Sequence, residues 1–315
     1  MVGAVDIGGT KIAVGIVSSA GKLLTRLESP THGNGPYDDA IDRTAAMLRT
    51  ALDRVGQPLT GIGIGSTGPV DPLSGRIGKV NFFPGWEGQN PVKDLERRFG
   101  VSVAMENDAD AAALGEAGWG SGKNKSRLIY VTVGTGIGVA IVLDGKVYRG
   151  AAHAHPEIGH HVIDASADTD CLCGFTGCWE ALAAGPAMAD WMERHAPKDD
   201  SHRARLDAKN ICELARTGDE WARRAVEREA RYLGLGLANL VTMFVPDAII
   251  LGGSVMKSSD LFLPTICRLI TGSCGFVPHE KTELALASLG ENANLIGAGS
   301  VWYHRFGSAR GNRAD

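Results

Sequence analysis

Apolar residues gather in short runs near the N-terminus and at helical spacing further on, and the change of period marks the elements. "GAVDI" and "IAVGIVS" flank a "GGTK" loop, "SAGK" turns the chain and "LLTRLES" follows, so residues 2 to 29 predict three strands. Residues 38 to 55 then place Ile41, Ala45, Met47, Leu48, Leu52 and Val55 on one helical face, with Asp38 or Asp39 available as a cap. "GIGIGST" (61–67) predicts a buried strand ending in a loop, and "VSVAMEND" (101–108) a strand that feeds an Ala-rich helix over 109–117. Helices are predicted over 179–194, 207–216 and 219–242. "DAIILGGS" (247–254) predicts a strand, the apolar segment "LFLPTICRLI" (261–270) follows, and residues 283 to 306 close with a strand, a Gly-containing loop and a helix. The run 195–205 reads as a solvated loop and the tail 307–315 as disordered.

The pattern of the beginning returns in the middle. "IGGTKIAVGIVSSAGK" (7–22) aligns with "VGTGIGVAIVLDGK" (133–146), apart from two residues in the hairpin turn. Each stretch is a strand, a Gly/Thr loop, a second strand and a tight Gly-Lys turn. A repeat of this kind predicts two structurally related halves.

Composition narrows the class. A chain of 315 residues is enough for about two domains. Its 44% hydrophobic and 22% charged residues are the balance of a soluble globular protein. A net charge of -4 argues against a nucleic-acid-coating role. No apolar run approaches the ~20 residues that span a bilayer, so no membrane partner is expected. "MVGAVDIGGTK" has neither the basic nor the apolar region of a signal peptide. A cytoplasmic location is therefore expected, where disulfides are disfavoured. That bears on "CLCGFTGCWE" (171–180), in which three cysteines fall within eight residues, and inclines the cluster toward a metal.

The repeated loops carry the first candidate chemistry. "DIGGTK" (6–11) sets an acid at a strand end, then two glycines, a hydroxyl and a lysine. Glycines let backbone N–H groups approach phosphate oxygens, Thr10 adds a donor, and Asp6 can hold Mg²⁺ directly or through water. "GTGIG" (134–138) offers the same equipment from the other half. One such loop is most simply a hairpin turn that uses glycine; two in repeated units predict a nucleotide held by both. Two look-alikes are set aside. "GIGSTG" (63–68) fits a dinucleotide fingerprint without a clear partner acid ~20 residues on, and "GSGKNKS" (120–126) fails the P-loop pattern at Ala117 and Asn124.

"DIGGTK" (6–11), "ENDA" (106–109), "GTGIG" (134–138), "EIGH" (157–160), "CLCGFTGCWE" (171–180) and "DAIILGGS" (247–254) together resemble the bacterial ROK family of repressors, open reading frames and sugar kinases, in order and spacing from residue 6 to about 300. The resemblance implies an α/β, two-domain actin-like ATPase (ribonuclease H-like) fold with an interdomain cleft. Its expected division is a small domain of 1–112 plus 301–315 and a large domain of 113–300. It implies ATP-dependent phosphorylation of a hexose, glucokinase-like, with the kinases for fructose, mannose or an N-acetylhexosamine and a noncatalytic sugar-binding regulator as alternatives. The family's repressors carry a winged helix ahead of this core, and with the core beginning at residue 2 none is expected here. A homodimer is expected from the family alone.

By the same resemblance Asp108 is the general base and Asn107 a sugar ligand. From the residues alone, Asp108 could be only the N-cap of helix 109–117; a cap would not explain Asn107 beside it, and Glu106 suits a structural role. Nucleotide contacts are implied for Asp6, Gly8, Gly9, Thr10, Lys11, Gly134, Thr135, Gly136, Gly252 and Gly253. Cys171 and Cys173 are too close for an easy mutual disulfide, and three thiols leave one unpaired. Zinc takes four N or S ligands, and His160 supplies the fourth beside Cys171, Cys173 and Cys178. The resemblance assigns that set to a structural Zn²⁺, with Glu157, His160 and Glu180 facing sugar hydroxyls from its flanks. Cys212, Cys267 and Cys274 are expected to be buried or idle. "NFFPGW" (81–86) resembles a family glucokinase loop with one extra Phe, implying that Asn81 bonds the sugar; Trp86 fits core equally well. "HAHPEIGHH" (153–161) departs from the pattern. His155 and Pro156 are similar to the family's fructokinases, and His161 is an additional histidine that competes with His160 as a ligand or is structural.

Overall fold

The computed structural model describes residues 1–197 and 206–307. Residues 198–205 of the expected loop and 308–315 of the expected tail lie outside them. The chain opens with β1 (Val2–Ile7), β2 (Lys11–Val17) and β3 (Leu23–Pro30), paired antiparallel in sequence order. α1 (Tyr37–Val55) buries Ile41, Ala45 and Leu48. Its N-cap position is Pro36, without a side-chain bond, so Asp38 and Asp39 do not cap it. They lie inside the first turn, where their charge meets the positive end of the helix dipole.

β4 (Gly61–Ser66) pairs parallel with β1. β5 (Val70–Asp71) and β6 (Arg76–Ile77) make a small ribbon, followed by α2 (Pro91–Phe99). β7 (Ser102–Asn107) pairs parallel with β4, and α3 (Asp108–Trp119) follows without a gap. The first sheet therefore has the order β3-β2-β1-β4-β7. β4 is glycine-rich because helix α9 (Ala293–Phe306) lies on it: a Cβ at Gly63 would collide with the Ala298 carbonyl. That packing accounts for the fingerprint-like "GIGSTG", whose first glycine faces a helix.

β8 (Arg127–Val133), β9 (Ile137–Leu143) and β10 (Lys146–Val147) begin the second sheet, and β11 (Ala248–Gly252) and β12 (Glu283–Leu286), parallel to each other, complete it. Its order is β10-β9-β8-β11-β12. The two sheets thus share one strand order, which is the structural form of the repeat between 7–22 and 133–146. The expected helix 179–194 is two: α4 (Trp179–Ala183) and α5 (Gly185–His195), with Pro186 in the first turn of the second. Proline lacks the N–H that would have continued the first helix. α6 (Ala208–Thr217), α7 (Glu220–Phe244) and α8 (Ser259–Ser273) follow, the first two capped by Asp207 and Asp219.

The chain folds as two compact units, Met1–Leu128 with Ala140–Pro156 and Ala287–Asp315, and Ile129–Val139 with Glu157–Leu286. The expected boundaries at 112/113 and 300/301 do not coincide with these. Each would cut a helix, α3 or α9, and those two helices pack on one another within the first unit. No helix among the described residues is long and apolar enough to cross a membrane.

Candidate active site

In the first unit the parallel strands β1, β4 and β7 end level with one another, Ile7 beside Ser66 and Ser66 beside Asn107. Open α/β sheets present ligands at this carboxyl edge. Asp6 precedes the edge on β1, Thr67 leaves β4, and Asp108 begins the helix after β7. Asn107 is the N-cap of α3, its Oδ1 accepting from the Ala109 N–H at 2.8 Å. The cap that sequence reasoning offered to Asp108 is thus held by its neighbour. Asp108 Oδ1 shares that N–H at 2.8 Å, and Thr67 Oγ1 donates to Asp108 Oδ2 at 3.2 Å. Burial raises the Asp108 carboxyl above its ordinary range; those two bonds and the charge of His155 draw it down, and Asp110 pushes it up. Asp6 is pushed up to about 7, first by burial and then by the charge of Asp108, against Lys11 and Arg26. The charge of Asp108 thus opposes the ionisation of Asp6, and a divalent cation beside Asp6 would relieve it.

The loop 8–10 adjoins this edge. Gly8 N–H donates to the Lys11 carbonyl at 2.9 Å, Thr10 is exposed, and Lys11 pairs with Glu28 at 3.3 Å. Phe82, 61% exposed, lies over Gly9, so the segment 81–86 runs beside the loop. Asn81 is exposed on it, whereas Phe83 and Trp86 are buried and stacked at 4.8 Å, with Trp86 Nε1 donating to the Gly35 carbonyl at 3.2 Å. Trp86 is core.

In the second unit Gly134, Thr135 and Gly136 form the turn between β8 and β9, closed by a 2.9 Å bond from Gly134 N–H to the Gly136 carbonyl. Glu180 Oε2 accepts from the Ile137 N–H at 2.8 Å, and a Cβ at Gly136 would collide with that carboxylate. Gly252 and Gly253 close β11 against Tyr130 and Val133 of β8.

His160 Nε2 lies 3.9 Å from Glu180 Oε1, while its Nδ1 is 3.2 Å from Cys171 Sγ. Cys173 and Cys178 approach within 3.5 Å, and the ligand atoms of His160, Cys171, Cys173 and Cys178 all lie within 4.8 Å of one another. Tetrahedral zinc bonds of about 2.0–2.3 Å separate neighbouring ligands by roughly 3.5–3.8 Å, so the four groups fit that ion. All six cysteines are free thiols; Cys212 and Cys274 are buried and Cys267 is exposed. His161 is outside the cluster. Its Nδ1 meets the Ile158 carbonyl at 2.6 Å, its Nε2 lies 3.3 Å from Asn239 Nδ2, and its ring packs edge-on to Trp179. Glu157 is exposed at the start of the turn that carries His160, and Gly159 packs against the Ile137 carbonyl.

Sequence reasoning missed several members. Thr67 lies inside the look-alike "GIGSTG" (63–68), whose glycines give no hint of its hydroxyl's role. The pairs Arg149–Glu106 and His155–Asp110 join residues more than forty apart, and only the unusual acid at 110 and histidine at 155 hinted at the second.

A family model described as the ROK family matches residues 2–305. A glucokinase of Streptomyces coelicolor is 34% identical over 316 residues, covering 94% of this chain and 96% of the relative. Among solved structures, a ROK hexokinase from Thermus thermophilus superimposes with a TM-score of 0.82 at 34% identity, over 98% of this chain and 99% of that one. A ROK glucokinase from Streptomyces griseus, in complex with glucose and AMPPNP, does so with a TM-score of 0.79 at 31% identity, over 95% and 97%. Relatives that match most of this chain also include xylose repressors.

Proposed function

This chain belongs to the ROK family, and from that premise we propose that it is a sugar kinase that moves the γ-phosphoryl group of ATP to the 6-hydroxyl of glucose. The fold is the two-domain actin-like ATPase fold of the ROK kinases. The observation that carries the reading is the Asp108 carboxylate at the end of β7, oriented by Thr67 and the first turn of α3, with a pKa raised by burial. A raised pKa makes a better proton acceptor. A regulator that only binds sugar has no use for a basic carboxylate there.

Asp108 takes the proton from the sugar hydroxyl as its oxygen attacks phosphorus. Asn81, Asn107, Glu157, His160 and Glu180 hold the remaining hydroxyls. A site built from such groups penalises a missing or inverted hydroxyl, because a buried polar partner is then left unpaired. Asp6, Gly8, Gly9, Thr10 and Lys11 of one unit, and Gly134, Thr135, Gly136, Gly252 and Gly253 of the other, hold the nucleotide. Bound with it, Mg²⁺ supplies neutralisation of phosphate charge, with Asp6 as the residue to hold it. His160, Cys171, Cys173 and Cys178 hold a structural Zn²⁺, which fixes both flanks of the 160–178 loop. The protein works in the cytoplasm as a homodimer.

The test is kcat/KM for glucose, mannose, fructose, N-acetylglucosamine and N-acetylmannosamine at one ATP concentration, followed by ADP release. Glucose is expected to lead. A tenfold advantage for fructose or an acetamido sugar, ~1.4 kcal/mol in transition-state binding, overturns the glucose assignment and leaves the kinase.

A further inference from the structure

Two basic side chains from the single segment 149–155, Arg149 and His155, reach the strand-to-helix junction that carries Asp108. The Arg149 guanidinium pairs with Glu106, and His155 Nδ1 lies 3.0 Å from Asp110 Oδ2. Asp110 is 3% exposed and His155 12%, and Asp110 Oδ1 has no partner among the described residues. Glu106, Asp108 and Asp110 alternate along the chain, so three carboxylates share the end of β7 and the first turn of α3. Buried like charges this close cannot all ionise without a counter-charge. Asp110 is the carboxylate that pushes Asp108 up, and His155 the group whose charge draws it down.

We propose that His155 is a positioning residue for Asp108: paired with Asp110 as an imidazolium, it offsets the Asp110 charge two residues along from the base and pins the first turn of α3, leaving Asp108 as the carboxylate that takes the hydroxyl proton. This rests on Asp108 being the base. It gives His155 a task in holding the machinery, distinct from a contact with the sugar. The neighbourhood has few other charges to do this. On the negative side stand Asp110 and Asp108 of α3, Glu106 of β7 and, beyond Asp108, Asp6 of β1. On the positive side Arg149 is committed to Glu106, Arg305 of α9 acts on Glu106, and Lys146 of β10 lies toward His304, whose pKa burial holds low. Among the described residues, His155 is the side chain bonded to Asp110.

The experiment compares pH profiles of kcat/KM for wild type, H155Q, D110N and the double variant D110N/H155Q, using the best sugar, with thermal melts to check folding. In H155Q the acid limb is expected to move up by about one pH unit, with sugar KM little changed. In the double variant both charges leave together and the limb returns toward the wild-type position. D110N alone, which stands if H155Q does not fold, leaves the limb at or below the wild-type pH. A limb unmoved in H155Q with a raised sugar KM would make His155 a sugar contact and overturn the proposal, as would a double variant as displaced as H155Q. If the wild type releases no ADP with any sugar, Asp108 is not the base and the proposal falls with that reading. Imidazole NMR titration needs no turnover: among the nine histidines, the signal missing in H155Q should titrate at lower pH in D110N if the pair itself holds.

Discussion

At the scale of the residue, the proposed function turns on how one carboxylate is kept basic yet aimed. Asp108 gains basicity from burial and direction from two hydrogen bonds, the Ala109 N–H on one oxygen and Thr67 on the other. Asp108→Asn keeps the shape, with its amide oxygen able to accept from the Ala109 N–H and its NH2 able to donate to the Thr67 hydroxyl in place of the present bond, but it cannot take a proton. We expect turnover to fall by ~10²–10⁴ while sugar binding, read by calorimetry, is retained; near wild-type turnover would remove Asp108 from the mechanism. The sign of the pH dependence follows. A base must be ionised, and its pKa is raised above 3.8, so kcat/KM should rise with pH through an acid limb above the ordinary aspartate range. Among single residues, the placement of Asn107 and Asp108 at the junction of β7 and α3 was legible because "END" (106–108) combines an amide and an acid at a strand end. Which of the two caps the helix was not, since both side chains reach the same N–H and only their rotamers decide. Trp86 was ambiguous for a related reason: an aromatic in a loop is core or lid according to what packs on it, and here Phe83 and Tyr37 do.

At the scale of the element, Glu180 ties two features together. It lies in the first turn of α4, just after the cysteine cluster, approaches His160, and bonds the backbone of the glycine turn at Ile137. Gly136→Ala therefore does more than obstruct phosphate. Its Cβ displaces the Glu180 carboxylate, so both ATP use and sugar affinity should weaken, by about tenfold or more if one hydrogen bond to a charged group is lost. Gly9→Ala meets only the side chain of Phe82, which is exposed and can swing away, and serves as the milder control. Protein purified without added metal should carry one zinc per chain. Cys173→Ser should lose it, lower the melting temperature because metal binding is coupled to folding, and weaken sugar binding. Metal-free protein with an unchanged melt and full sugar affinity would dismiss the site. The hairpins were legible from alternation, but α2 was not, although Asn90, Pro91 and Gly100 mark its cap, first turn and end. Its surface is so charged that the apolar period is short. The break between α4 and α5 was signalled by Gly185 and Pro186 and masked by the run of alanines around them.

At the scale of the whole molecule, the repeat is the deepest feature that the sequence revealed: two Gly/Thr hairpins, beginning at residues 7 and 133, open two sheets of the same strand order. The compact units were harder to delimit, because α9 returns from the end of the chain to pack on α3 and β4, and such a return leaves no local mark. The central claim for the molecule is that it transfers phosphoryl groups to a sugar. The most direct measurement is ³¹P NMR of a mixture of the protein, ATP, Mg²⁺ and glucose, run beside the Asp108→Asn variant. The account predicts that wild type consumes ATP and builds a phosphomonoester on the 6-oxygen of glucose in step with ADP, while the variant does so at least a hundredfold more slowly. Sugar binding without any ADP or sugar phosphate, from glucose or from any other hexose in the panel, would contradict it.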